Sequence, residues 1–283
     1  MLQHLIQPAF GYTAESMSGV DGQRNLCVEY GSYYFTILVY SQDKSVIQIE
    51  TYVLKEGVDA YTLEYILNTD TYKNEIFNEV ILVANGPDVS LVPQKYFKAH
   101  TSDSIYESIH GDQDQVDITF DQVEQWELVN VFGVDKNIHH FLRGMYPQTK
   151  VMHFVSLALL AIFKNNLEDL DAFAKLYFSP NYITIVLIKG AQLQFAQSLY
   201  YETTEDAIYL LLNLFDKHRI DLTDVKTLVS GYIDEDSATW KELRKYILDI
   251  DFEQVPIQPS VSDKYNVVST HFFTPHLHVL QCV

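Results

Sequence analysis

One short β-type phrase occurs twice in this chain. Tyr34-Phe35-Thr36-Ile37-Leu38-Val39 returns as Tyr182-Ile183-Thr184-Ile185-Val186-Leu187, an offset of 148 in 283 residues. Two further matches follow in the same order. Ile47-Gln48-Ile49 pairs with Leu193-Gln194-Phe195, and Ile81-Leu82-Val83-Ala84 with Thr227-Leu228-Val229-Ser230, both at an offset of 146. A single match means little, because strands draw on few residue types. Three in order predict two similar halves, with two residues lost from a hairpin turn in the second.

The local patterns agree. Tyr33–Tyr40 is β-branched and aromatic, Ser41-Gln42-Asp43-Lys44 is a turn, and Val46–Val53 alternates with the period of a two-faced strand. A helix after Gly57 presents Leu63, Ile66 and Leu67 on one face. The continuous apolar run Val80–Ala84, ended by Asn85-Gly86-Pro87, reads as a buried central strand. In the second half, Thr203-Thr204-Glu205-Asp206 fits a capping box opening an apolar helix. Thr227–Ser230 ends at Gly231, and an amphipathic helix runs from about Ser237 to Leu248. The shared order is strand–strand–strand–helix–strand–helix. Hairpins followed by a crossover predict an α/β fold in which each half is a mixed sheet flanked by helices, with a cleft between them.

Charge and cysteines narrow the function classes. Lys+Arg number 19 against 38 Asp+Glu, a formal net charge of −19. That opposes binding to duplex phosphate or an anionic membrane. Cys27 and Cys282 stand at opposite ends with no C-x-x-C motif, as reduced thiols would. The first residues, Met1-Leu2-Gln3-His4-Leu5-Ile6, lack the basic and apolar regions of a secretory signal. The longest apolar stretch, Leu157–Phe163, falls far short of the roughly 20 residues of a membrane helix. The expectation is a cytoplasmic protein without membrane insertion.

The duplicated element order resembles the actin, heat-shock-70 and sugar-kinase superfamily. The resemblance covers about residues 26–250 and implies two ribonuclease-H-like halves, 1–164 and 165–283, with the tail from 256 packing back on the first. The joining segment supports it: Tyr146–His153 followed by Phe154-Val155-Ser156-Leu157-Ala158-Leu159-Leu160-Ala161 is similar to the element linking the halves of actin-like proteins. Val89-Ser90-Leu91-Val92-Pro93-Gln94-Lys95-Tyr96-Phe97 resembles a stretch of a bacterial actin-like family known only as a domain of unknown function. Other actin-like modules serve as cytoplasmic adaptors in pilus and secretion machines.

The resemblance implies a nucleotide cleft with two acid- and glycine-bearing hairpins and a glycine-rich adenosine turn. The first hairpin, Val28-Glu29-Tyr30-Gly31-Ser32-Tyr33-Tyr34, places Glu29 where Asp is expected and keeps Gly31 and Ser32. The second, Tyr177-Phe178-Ser179-Pro180-Asn181, has neither acid nor glycine, and Pro180 has no N–H to donate. The third, Val229-Ser230-Gly231-Tyr232, has one glycine of the usual two, and His153-Phe154 stand near the water-orienting position. If a nucleotide bound, Glu29, Gly31, Ser32 and Gly231 would hold it. The eroded turns predict no ATP hydrolysis, no tight nucleotide binding, and no catalytic residue, cofactor or metal. The expectation is an inert module working through an unidentified protein partner. The alternatives are a divergent ATP-dependent enzyme and a small-molecule-binding cleft.

The remaining candidates are weaker. His271, His276 and His278 cluster near the C-terminus, and two histidines at i and i+2, as His276 and His278 are, would face one side of a strand as ligands do, but no acid or Cys accompanies them at ligand spacing; His139-His140 lie elsewhere. Asp234-Glu235-Asp236 reads as favourable charge before a helix N-terminus rather than a cation site. Gly111-Asp112-Gln113-Asp114-Gln115 reads as a solvated loop, and Ser156 has no visible base. The 20 tyrosines fit either half-wet sheet faces or a contact surface.

Overall fold

The computed structural model describes residues 6–14, 23–69, 72–73, 75–254 and 268–282. The first half opens with β1 (Phe10–Thr13), then β2 (Arg24–Tyr30), β3 (Tyr34–Ser41) and β4 (Val46–Val53). Helix α1 (Ala60–Leu67) follows, its N-cap Asp59 accepting from Thr62 N at 2.6 Å, and leads to β5 (Phe77–Ala84). An insertion comes next: β6 (Val89–Pro93), α2 (Ser102–His110), β7 (Val116–Val123), β8 (Leu128–Asp135) and α3 (Lys136–Met145). The half closes with β9 (Lys150–His153) and α4 (Phe154–Lys164). The second half runs β10 (Ala172–Phe178), β11 (Tyr182–Lys189), β12 (Gln192–Tyr200), α5 (Thr204–Lys217), β13 (Lys226–Gly231), α6 (Ala238–Tyr246), β14 (Ile250–Phe252) and α7 (Thr274–Cys282). The capping box at Thr203 and Asp206 forms as the sequence predicts.

The two large sheets have the same plan. One is ordered β1-β4-β3-β2-β5-β9, the other β12-β11-β10-β13-β14. In each, the first three strands of the repeat are antiparallel and the next two join in parallel. A register irregularity even recurs at the same place, between Val39 and Tyr40 and between Leu187 and Ile188. The register corrects the sequence alignment. Glu29 pairs with Thr36 as Tyr177 pairs with Thr184, so the offset of 148 holds for the first two strands. In the third strand, however, Thr36↔Thr51 corresponds to Thr184↔Ser198, an offset of 147. In the fourth, Tyr30↔Ala84 corresponds to Phe178↔Gly231, also 147. One residue is lost from the hairpin, not two. The slip matters because strand faces alternate, so an offset of 146 would exchange inside for outside.

The faces of the second sheet sort the core. Ala174, Leu176, Phe178, Ile183, Ile185 and Leu187 pack with α5 and α6 in one apolar cluster. Their alternates Phe173, Tyr177, Val186 and Ile188 belong to the cluster built on the first sheet, together with α4 and with Phe272, Phe273, Leu277 and Val279 near the C-terminus. Helices α4 and α7 pack on each other, α4 reaching β11 and α7 reaching β13. Neither α7 nor the small sheet β6-β8-β7 has a clear sequence signal; α7 carries its Pro at the second position, where the helix tolerates it.

Candidate functional site

The hairpins and turn singled out in the sequence meet at the ends of β2, β10 and β13. Tyr232 N donates to Phe178 O at 2.8 Å, Tyr182 OH donates to Asn85 O at 2.8 Å, and the Tyr34 and Tyr232 rings lie 5.7 Å apart. The structure thus brings Glu29, Gly31 and Gly231 into one neighbourhood, but it fills that neighbourhood with side chains.

Glu29 is 3% exposed. Tyr34 OH donates to its Oε1 at 2.6 Å, Asn85 Nδ2 donates to the same oxygen at 2.9 Å, and His276 Nδ1 lies 2.8 Å from Oε2. The other His276 nitrogen is 3.4 Å from Thr36 Oγ1. Burial pushes the Glu29 carboxyl up. The adjacent His276 and the hydrogen bonds from His276, Asn85 and Tyr34 outweigh it and hold the group below its ordinary value. The same burial, with Glu29 as neighbour, drives the Tyr34 hydroxyl well above its ordinary value. This carboxylate is paired inside the protein from three elements: β3, the end of β5 and α7.

The glycines are also occupied. Gly31 N donates to Tyr34 O at 3.0 Å, and a Cβ on Gly31 would meet the Tyr34 ring and the Tyr182 hydroxyl. Gly31 is therefore required by aromatic packing. Gly231 has φ +91°, and a Cβ there would run into the Phe178 carbonyl. In the second sheet Tyr177 takes the place that Glu29 has in the first, packing edge-on against Phe154 at 5.0 Å and His278 at 5.4 Å. Beside Gly31, Ser32, Asn85, Gly86, His153 and Tyr200 a cavity of 180 Å³ remains. Small-molecule and cofactor pockets typically have about 300–1,000 Å³.

His153 caps α4, its Nδ1 accepting from Val155 N at 3.1 Å, while its own N–H donates to Asp121 Oδ2 at 2.8 Å. Burial pushes the ring down to about 3 against the opposing pull of Glu29, so it is neutral. Burial raises Asp121 to about 6, against hydrogen bonds from Ser156 and the His153 backbone. Asn130 Nδ2 donates to Ser156 Oγ at 3.0 Å, which makes Ser156 part of a buried polar network.

The three C-terminal histidines diverge. They lie on a 3₁₀ turn and on helix α7, not on one strand, so the i, i+2 spacing does not bring them together. His271 Nε2 is 2.7 Å from Ile233 O, His276 meets Glu29, and His278 packs on Phe154 and Tyr177. No group of three His, Cys, Asp or Glu is arranged to hold a metal among the described residues. His139 and His140 share Asp117, at 2.8 and 3.2 Å. Asp234-Glu235-Asp236 precedes α6, whose cap is Ser237, and Gly111–Gln115 is a loop. The sequence patterns single out Tyr182, Asn85 and His276 for other reasons and do not place them beside Glu29. Asn85 had a signal, as a polar residue ending a buried strand; His276 had none, because its partner is 247 positions away.

The fold matches known structures across its length. An actin-like ATPase-fold protein of unknown function from Bacteroides thetaiotaomicron VPI-5482 superposes with a TM-score of 0.77 at 16% identity, covering 92% of this chain and 96% of that one. The PilM–PilN type IV pilus biogenesis complex contains a chain that matches with a TM-score of 0.61 at 11% identity, covering 91% and 98%. These likenesses establish an actin-like ATPase fold. No curated protein sequence matches this chain. A family profile spans residues 19–250, and the chain belongs to that family, the proteins of unknown function designated DUF3822.

Proposed function

We propose that this protein is a catalytically inert actin-like module that acts by binding another protein. One observation carries the reading: the Glu29 carboxylate, the one acid retained at a phosphate turn, is buried and held by Tyr34, Asn85 and His276. A magnesium or phosphate group would have to displace three internal partners and expel two tyrosine rings. The pilus protein PilM shares the fold and is seen with a partner, PilN. By that analogy this chain, with halves at 1–164 and 165–283, works through a protein contact in the cytoplasm. Exposed tyrosines at 61, 96, 200 and 209 support a contact surface, since Tyr is enriched where proteins meet. Calorimetric titration with ATP and magnesium tests the inert cleft: the expected result is no heat of binding, and a dissociation constant of about micromolar overturns the reading.

A further inference from the structure

The two large sheets differ at one edge. In the first, β1 pairs antiparallel with β4, from Phe10↔Thr51 to Thr13↔Gln48. The equivalent strand of the second sheet is β12, and no strand pairs with its outer side among the described residues. Burial follows the difference: Ile47–Tyr52 on β4 are all buried, whereas on β12 only Ala196 and Ser198 are.

An unpaired strand edge is a template for another chain, and proteins blunt such edges with short strands, charges or proline. The other edges here are blunted. β1 and β9 have four residues each, and β14 has three with Asp251 at its centre. β7 carries Asp117 and Asp121, and β6 ends at Pro93. β12 has nine residues, with no charge and no proline. Its irregularity at Gln194 is no protection, because β4 has the same one at Ile47 and still pairs with β1.

The register gives the direction of the free backbone. Tyr201 N donates to Asn181 O at 3.1 Å, so alternation turns the main chain of Leu199, Gln197 and Phe195 toward β11 and that of Ser198 and Ala196 away from it. Ile47, the counterpart of Gln194, accepts from Ala14 N at 2.9 Å, which sets the Gln194 carbonyl outward as well. Ser198 is 2% exposed, so the edge is closed at that end. Along Ala191–Ala196 a groove of 570 Å³ runs beside it. Consecutive residues line this groove, so it follows the main chain rather than one side-chain face. Leu91, Trp126 and Leu128 of the insertion form the opposite wall.

Charge selects the occupant. Glu127 is the one charged residue lining the groove, and the whole chain carries −19. A second copy would bring −19 against −19, and its β12 lies behind its own Trp126 and Leu128 wall. We infer that β12 takes an extended segment of a partner protein as an added antiparallel strand, apolar at alternate positions and with a basic residue facing Glu127. Backbone bonds at Gln194 and Ala196 supply affinity, while Leu193, Phe195 and Trp126 receive the apolar side chains. The inference deepens the proposed protein contact and rests on it; its failure leaves the inert cleft and a contact elsewhere on the surface standing.

Titration of the full chain with the peptide Lys-Val-Thr-Val-Thr-Val-Lys, followed by amide NMR, tests it. In the chain alone the Ala196 amide is expected to exchange with solvent faster than that of Gln197, which bonds β11. The peptide is expected to saturate with a dissociation constant below about 1 mM and to slow exchange at Ala196 about tenfold or more. The same peptide N-methylated on alternate amides keeps its side chains and charge and is expected to bind about tenfold more weakly or worse. Ala196→Pro removes the outward N–H, leaves the bonds to β11, and is expected to weaken binding as much, with the melting transition retained as a check on folding. Absence of saturation up to about 2 mM overturns the inference, as does equal binding of the N-methylated peptide, a test that needs no variant. Protection of Ala196 equal to that of Gln197 in the chain alone overturns it, and so does protection that appears only with dimer mass. Equal or tighter binding of the Glu-ended peptide overturns the stated partner.

Discussion

Replacing Glu29 with alanine separates a structural carboxylate from a ligand-binding one. In an open cleft, an acid kept for magnesium is an unpaired charge, and its removal is neutral or stabilising. Here the substitution strands the Tyr34 hydroxyl, the Asn85 amide and the His276 ring, all within 2.9 Å of the carboxylate and all buried. A hydrogen bond to a charged group contributes about 1.5–3 kcal/mol, and losing one partner of a buried pair costs about 3–5 kcal/mol. Those contributions overlap, so the expected loss is about 3–5 kcal/mol, about a fifth or more of a total of roughly 5–15 kcal/mol. Urea unfolding followed by circular dichroism measures it. Adding His276→Ala to Glu29→Ala should cost much less than the sum of the singles, with a coupling of about 1–3 kcal/mol. Single losses below about 1 kcal/mol, or additivity within about 0.5 kcal/mol, would refute the view that this turn is filled and locked by α7.

Two further outcomes follow from the same geometry. Gly231→Ala places a Cβ on the Phe178 carbonyl at φ +91° and should destabilise by about 2–3 kcal/mol or more in thermal melts, whereas Gly86→Ala, with open space around it, should fall within about 0.5 kcal/mol. Acid sensitivity should begin near pH 6.5, the ordinary histidine value, because His153 and His278 are fully buried with pKa values pushed down to about 3 and 4. Their folded state binds fewer protons than the unfolded one, so stability is present above the unfolded pKa and falls as pH drops toward the folded values. Each contributes a slope of about 1.4 kcal/mol per pH unit in that window. Asp121, raised to about 6, has the opposite sign and offsets part of this between its ordinary value and pH 6. His153→Asn keeps an acceptor for the α4 cap and should flatten the pH dependence of urea midpoints by about one proton.

How far the sequence reveals this molecule depends on the separation of interacting residues. Period-two runs and caps are local, so β4, α5 and the repeat of β2 and β3 as β10 and β11 are legible from short windows. Register is less local. Third-strand apolar patterns match nearly as well at an offset of 146 as at 147, and only paired backbones distinguish them. The candidate site shows the same limit more sharply. Glu29-Tyr30-Gly31-Ser32 looks like a damaged but available phosphate turn, because the residues occupying it come from elsewhere: Asn85 from the end of β5, Tyr182 from the second half, His276 from α7. Each has an ordinary local role, and none belongs to a phosphate motif. Tyr177 at the position equivalent to Glu29 is, with Pro180 and the missing glycines, a legible trace of the change. Where one of two equivalent strand ends carries an acid and the other an aromatic ring, the buried acid needs a partner or a lost charge. His276 supplies that partner, which makes Glu29→Ala with His276→Ala the pair of substitutions on which this interpretation of the fold depends.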